Sequence, residues 1–174
     1  LGYEIMLPVD SAQAFWDALF EAGEPLGLLP AGAACVMMCR IEAGLIMGEV
    51  EYDHTMTPYE CRMAWSVDLN KDNFHGKDAL IKAQKNPSLD IVSVLLPGEG
   101  EYDGVELMDN NKKVGLVTMA IPSPYLEGKF LGLARINRAN AIVGNKLDLV
   151  LEENGQAEIV ATPVYDPERA RSRS

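Results

Sequence analysis

The chain has 174 residues, 48% of them hydrophobic, with 15 basic and 26 acidic side chains and a formal net charge of -11. That length suits one domain or two small ones. The acidic balance argues against a nucleic-acid surface, which needs a basic face, and against an anionic membrane. No apolar run approaches the roughly 20 residues that span a bilayer, and no secretory leader is expected. An anionic small molecule remains compatible, because one local Arg or Lys can dominate a pocket. Three cysteines, Cys35, Cys39 and Cys61, are too few and too odd in number for a disulfide framework, so a reducing, cytoplasmic setting is expected. The opening Leu-Gly-Tyr-Glu-Ile starts inside an element, which leads us to expect part of a longer protein.

In chain order, residues 3–7 are short and apolar before Pro8 and predict a strand. Asp10 and Ser11 offer an N-cap, Phe15, Leu19 and Ala22 recur at helical spacing, and Gly23 offers a stop, which predicts a helix over 10–22. Residues 32–43 predict a mostly buried helix that stops at Gly44, with Met37 and Met38 as core filler and Cys35 and Cys39 as small apolar residues on its buried face. Glu49, Glu51 and Asp53 predict an exposed acidic loop, and Thr57-Pro58 a turn. Alternation around Trp65 and Val67 predicts a strand over 63–69, with Trp65 in the interior. A short helix is predicted over 77–83, with Leu80 and Ile81 inward.

Lys85-Asn86-Pro87-Ser88 is the best linker signal. After it the texture changes. Residues 91–96, 105–108, 113–120, 129–136, 146–150 and 156–164 all predict strands separated by Gly, Asn and Pro turns, the pattern of a small antiparallel β-barrel. The predicted class is therefore α+β: an incomplete α+β region over 1–84, a β-barrel over 88–165 and a basic tail over 166–174 that frays.

Local chemistry alone singles out little. Cys35 and Cys39 lack companion ligands at zinc spacing, since the histidines are His54 and His75. Cys61 has no adjacent base. Gly98-Glu99-Gly100-Glu101 is too acidic to cradle phosphate and matches no nucleotide fingerprint. Arg169, Arg171 and Arg173 would meet an anionic ligand if the tail folds back. Glu4, on the predicted strand beside Tyr3, has a carboxylate able to accept two adjacent N–H donors from a ring such as a guanine or pterin.

Several phrases taken together resemble the glycine cleavage T-protein, or aminomethyltransferase, family. They are Gly2-Tyr3-Glu4-Ile5, Arg40-Ile41-Glu42-Ala43-Gly44-Leu45, Asp53 with Thr57-Pro58 and Glu60, Trp65-Ser66-Val67, Phe74 to Leu80, Val114-Gly115, Ser123-Pro124-Tyr125-Leu126 and Ala134. Their order and spacing hold along nearly the whole chain. The resemblance implies the last part of a folate-binding α+β region followed by a C-terminal barrel, around a tetrahydrofolate cavity. It implies transfer of a one-carbon unit from a small donor to tetrahydrofolate. Glu4 falls on the residue that grips the pterin; Tyr3, Trp65, Arg169 and Arg171 complete the candidate tetrahydrofolate-binding set. Residues 53–65 are expected to cross the mouth of that cavity. No metal site is implied, and the family's catalytic Asp lies upstream of Gly2, so this chain alone is expected to be inactive. Val36 and Met37 stand where the family pattern has Arg and Asp, which points to a divergent branch such as a folate-dependent demethylase. A non-catalytic folate-binding or protein-interaction module of the same fold is the alternative.

Overall fold

The computed structural model describes residues 2–151 and 155–171. Among them, helix α1 spans Ala12–Gly23, α2 Ala33–Glu42 and α3 Lys77–Lys85. Six strands follow: β1 Leu89–Leu96, β2 Glu106–Asp109, β3 Lys112–Pro122, β4 Phe130–Asn137, β5 Lys146–Leu149 and β6 Gly155–Val160. They close into an antiparallel barrel in the order β1-β4-β3-β2-β5-β6, with β6 returning to β1. The α+β class with a small antiparallel barrel is thus as the sequence predicts.

The barrel interior follows from strand alternation. Val92, Val94 and Leu96 of β1 and Ala134 and Ile136 of β4 point inward, where they meet Leu107, Val117, Leu147, Leu149 and Ile159. The intervening residues are apolar as well. Ile91, Leu131 and Leu133 form a second core outside the barrel with Ile41, Cys61 and Ile121. Strands β1 and β4 are therefore covered on both faces, which explains the near-continuous apolar runs in their sequences.

Two helix stops share one device. After α2, the Gly44 N–H reaches the Ile41 carbonyl at 3.1 Å and the Leu45 N–H reaches that of Arg40 at 2.8 Å, with Gly44 at φ 62. Gly27 at φ 83 and Leu28 repeat this pattern on the carbonyls of Glu24 and Gly23. Glycine supplies the left-handed φ at low cost, and the paired bonds satisfy the orphan carbonyls. Helix α1 ends at Gly23, where the stop is predicted, and a short 3-10 turn, Glu24–Leu26, carries the chain on to Gly27. Gly23 is helical, and a Cβ there would lie 2.5 Å from Leu28 Cδ2. Neither Asp10 nor Ser11 caps α1 with its side chain.

Four further expectations are corrected. Residues 3–7 form no strand, because no partner strand lies beside them among the described residues; Tyr3 and Met6 are exposed. Residues 63–69 form no strand either. Arg62 adopts φ 61 and the chain enters a 3-10 turn at Ala64–Ser66, leaving Trp65 76% exposed rather than interior. Helix α2 buries only Arg40, Ile41 and Glu42, while Cys35 and Cys39 are exposed. Met37 and Met38 are half-buried, Met38 against the second core. Glu51 is not part of an exposed loop: it is fully buried.

The reason for that burial is Arg40. Its Nη1 donates to Glu51 Oε2 at 2.8 Å and to the Leu45 carbonyl at 3.1 Å. Glu51 Oε2 also accepts the Met47 N–H at 2.8 Å, and Oε1 lies 3.0 Å from the Thr118 hydroxyl of β3. Removing one partner leaves an uncompensated buried charge, a loss of about 3–5 kcal/mol. We predict that Arg40→Met and Glu51→Leu each lower chemical-denaturation stability by that amount. The double variant should lose clearly less than the sum, as read from a double-mutant cycle.

Candidate functional site

The last turn of α2 organises the site. The Glu42 side chain docks on the loop between β3 and β4. Its Oε1 accepts the Ser123 hydroxyl at 2.5 Å and the Tyr125 N–H at 3.0 Å. Ser123 is fully buried, and its Oγ caps the short turn Pro124–Leu126 by accepting the Leu126 N–H. The Glu42 carbonyl accepts the Tyr165 N–H at 3.0 Å. One residue thereby fixes both the 123–126 loop and the segment after β6.

These contacts bring Tyr125 and Tyr165 edge to face, with ring centroids 5.2 Å apart. The Asp166 carboxylate accepts the N–H groups of Ala170 and Arg171, which turns the chain back. The Arg171 guanidinium then lies 5.5 Å from the Tyr165 ring centroid, in cation–π contact. The described part of the predicted fraying tail is thus folded back; residues 172–174, including Arg173, lie outside the described residues. The result is a mainly apolar hollow of about 610 Å³, with Val36, Cys39 and Leu45 on one side and Tyr125, Tyr165 and Arg171 on the other. That volume lies within the roughly 300–1,000 Å³ typical of small-molecule sites.

A smaller hollow of about 230 Å³ adjoins it at Leu45 and is lined by Tyr52, Arg62, Trp65 and Arg169, among others. Arg62 Nη2 donates to the Thr162 carbonyl at 2.9 Å. Burial against the barrel lowers the Arg62 pKa; Asp90 opposes this, and the like charge of Arg169 adds to the lowering.

The structure therefore groups Arg171 with Val36 in one hollow and Trp65 with Arg169 in the next. Tyr3 and Glu4 line neither; both are exposed in the extended segment before α1. Sequence reasoning missed Arg62, Tyr165 and the positioning role of Glu42. The phrase Ser123-Pro124-Tyr125 was visible, but nothing in its spacing named Glu42 as its partner. Burial raises the Cys61 thiol pKa, in keeping with a structural role.

The turn over 53–60 is held by its own carboxylates. Asp53 accepts the Thr55 hydroxyl and N–H and pairs with Arg135 of β4 at 3.0 Å, which together hold its pKa down to about 2. For Glu60, burial pushes the pKa up, but hydrogen bonds from Ser88 and Thr57 outweigh it and bring it to about 2. Those bonds are the Ser88 hydroxyl at 2.7 Å and N–H at 2.9 Å on Oε1, with the Thr57 hydroxyl at 2.9 Å and N–H at 3.0 Å on Oε2. The folded pKa lies below the ordinary 4.5. The stabilisation is therefore complete above that value and is lost as pH falls toward 2. We predict that Glu60→Gln costs on the order of 2 kcal/mol at pH 7 and flattens the fall in stability between pH 4.5 and 2, as measured by urea titration across that range.

Residues 1–71 match the family model for the GCVT N-terminal domain. Over its whole length the chain is similar to a trimethylamine-oxide aldolase of Ruegeria pomeroyi, with 36% identity, covering 23% of that protein. It is also similar to an aminomethyltransferase of Caldanaerobacter subterraneus, 37% identical over 86% of this chain and 40% of that protein. The fold is that of the glycine cleavage system aminomethyltransferase T from Bartonella henselae, with a TM-score of 0.82 and 23% identity over 92% of this chain and 45% of that one. The chain spans less than half the length of these relatives. Among the described residues no helix is long and apolar enough to cross a membrane.

Proposed function

With the chain a relative of the aminomethyltransferases of the GCV T family, we propose that it supplies the C-terminal part of a tetrahydrofolate-dependent transferase that moves a one-carbon unit from a small donor. The observation that carries this reading is the hollow built on Glu42, in which apolar α2 residues face two tyrosines and Arg171. An aromatic, carboxylate-bearing ligand such as tetrahydrofolate suits such a lining. Its ring packs against tyrosine faces and edges, and its acidic end meets a guanidinium.

In this reading Glu4, beside Tyr3, accepts the pterin N–H donors, and Trp65 walls the adjoining hollow. Arg169 and Arg171 serve the anionic end. The contribution of these residues is orientation, which suits a reaction in which the folate nitrogen must attack a small electrophilic carbon at short range. In this reading a carboxylate outside this chain steadies the developing cation. A cytoplasmic setting, where Cys35, Cys39 and Cys61 stay reduced, belongs to the same reading. So does a divergent branch with a methylated donor, favoured by the apolar Val36 on the hollow's wall. A non-catalytic folate-binding or interaction module is the second reading, favoured by the same residue.

The test is calorimetric titration of tetrahydrofolate into the full-length protein. Loss of a charged hydrogen bond costs about 1.5–3 kcal/mol, so Glu4→Ala should weaken binding about ten- to hundred-fold, with Arg171→Ala giving a smaller loss. Unchanged affinity in both variants would overturn the assignment. Methyl-donor turnover by the full-length protein would eliminate the non-catalytic reading.

A further inference from the structure

We propose that Cys35 and Cys39 form a two-thiolate site for a soft, two-coordinate metal ion of the Cu(I) class. Both lie on α2, four residues apart and therefore on one face of the helix, and both are exposed. The backbone holds each in place. The Cys35 N–H donates to the Gly32 carbonyl at 3.1 Å, and the Cys39 carbonyl accepts the Ala43 N–H at 3.0 Å. Arg40, next in sequence to Cys39, is fixed by Glu51, which anchors this turn of the helix. The two side chains also meet. Desolvation raises the Cys39 pKa above its ordinary 9.0, and the charge of Cys35 and a hydrogen bond between the two side chains raise it further.

Spacing decides what such a pair can hold. Cβ atoms four residues apart on a helix are about 5–6 Å from each other, whereas a disulfide needs about 3.5–4.5 Å. Direct oxidation would therefore have to unwind α2. A bridging ion needs no such change: with metal–sulfur bonds of about 2.3 Å, a linear S–metal–S unit sets the sulfurs about 4.6 Å apart. Zinc asks for four ligands. Among the described residues no group of three or more Cys, His, Asp and Glu side chains is placed to hold a metal. The carboxylate nearest in the helix, Glu42, already accepts from Ser123 and Tyr125. Thiolates select Cu(I), which two sulfurs satisfy. On binding, two S–H bonds break, two Cu–S bonds form and two protons pass to solvent, with no change of oxidation state. A thiol with a raised pKa is a poor match for peroxide chemistry, which needs a ready thiolate.

The experiment is anaerobic titration of the full-length protein with Cu(I) against bicinchoninate, a colorimetric Cu(I) chelator. The parent should hold one Cu(I) equivalent that Cys35→Ser and Cys39→Ser each lose. Loss of an outer-shell partner costs about 10–100-fold in metal affinity, so loss of a ligand should exceed that range. Both side chains are exposed, so the melting temperatures of the two variants should match the parent's, which separates a lost ligand from a lost fold. X-ray absorption at the copper edge, as the difference between the loaded parent and a loaded variant, should show two sulfur neighbours. Equal Cu(I) stoichiometry and affinity in the parent and both variants would overturn the inference. So would a third protein ligand in that spectrum, or a Cys35–Cys39 disulfide formed by mild oxidation with the helicity of α2 intact. The inference does not rest on the folate reading, since the titration is made without folate.

Discussion

A buried ion pair between one helix and one turn, joined to β3 through Thr118, anchors the end of α2 on the barrel. Arg40 and Glu51 are both removed from water, and burying either alone would be severely unfavourable. Their partners close the arrangement: the Leu45 carbonyl and Met47 N–H from the chain between them, and Thr118 from β3. The end of α2 is consequently fixed to the barrel wall in one orientation. Glu42, two residues on, then reaches Ser123 and Tyr125, and the hollow follows from that placement.

The same logic separates a tightly held region from a loosely held one. From Arg40 onward the chain contributes Ile41, Ile46, Tyr52, Met56, Cys61 and Met63 to the core outside β1 and β4. Asp53 and Glu60 then tie the turn to Arg135 and Ser88. Before Arg40 the picture differs. Helix α1 has no buried residue, and Tyr3, Val9, Leu26 and Leu29 are exposed. Among its apolar side chains Trp16 and Phe20 pack on each other, with ring centroids 4.6 Å apart. The candidate ligand-binding residues divide along the same line, Glu4 and Tyr3 in the loose part and Trp65, Arg169 and Arg171 in the tight part.

What the sequence revealed also follows this division. Barrel strands were legible because alternation, Gly and Asn turns and spacing are local signals, and all six appear close to where they were placed. Helix α2 and its stop at Gly44 were legible for the same reason. Glu51 was misjudged because its burial depends on Arg40, eleven residues away and across a turn, and no local pattern records that pairing. Residues 63–69 alternate like a strand, but Arg62 takes a left-handed conformation and no neighbouring strand is offered, so tertiary context overrides the pattern. The family resemblance named Arg40–Leu45 and Ser123–Leu126 as separate phrases. Only the fold shows that they are one contact through Glu42. Arg62 left no trace in the sequence, because its hydrogen bond goes to the Thr162 carbonyl, a hundred positions later.

The central claim is that the end of α2, the 123–126 loop and the barrel form one cooperative unit. Native-state hydrogen exchange of the Met47 and Tyr125 amides, each held by a buried carboxylate, tests it most directly. The account predicts that both exchange only through the same large opening that releases amides of β3 and β4, with the same dependence on denaturant. Rapid exchange of these two amides through local opening, with the barrel still protected, would contradict it.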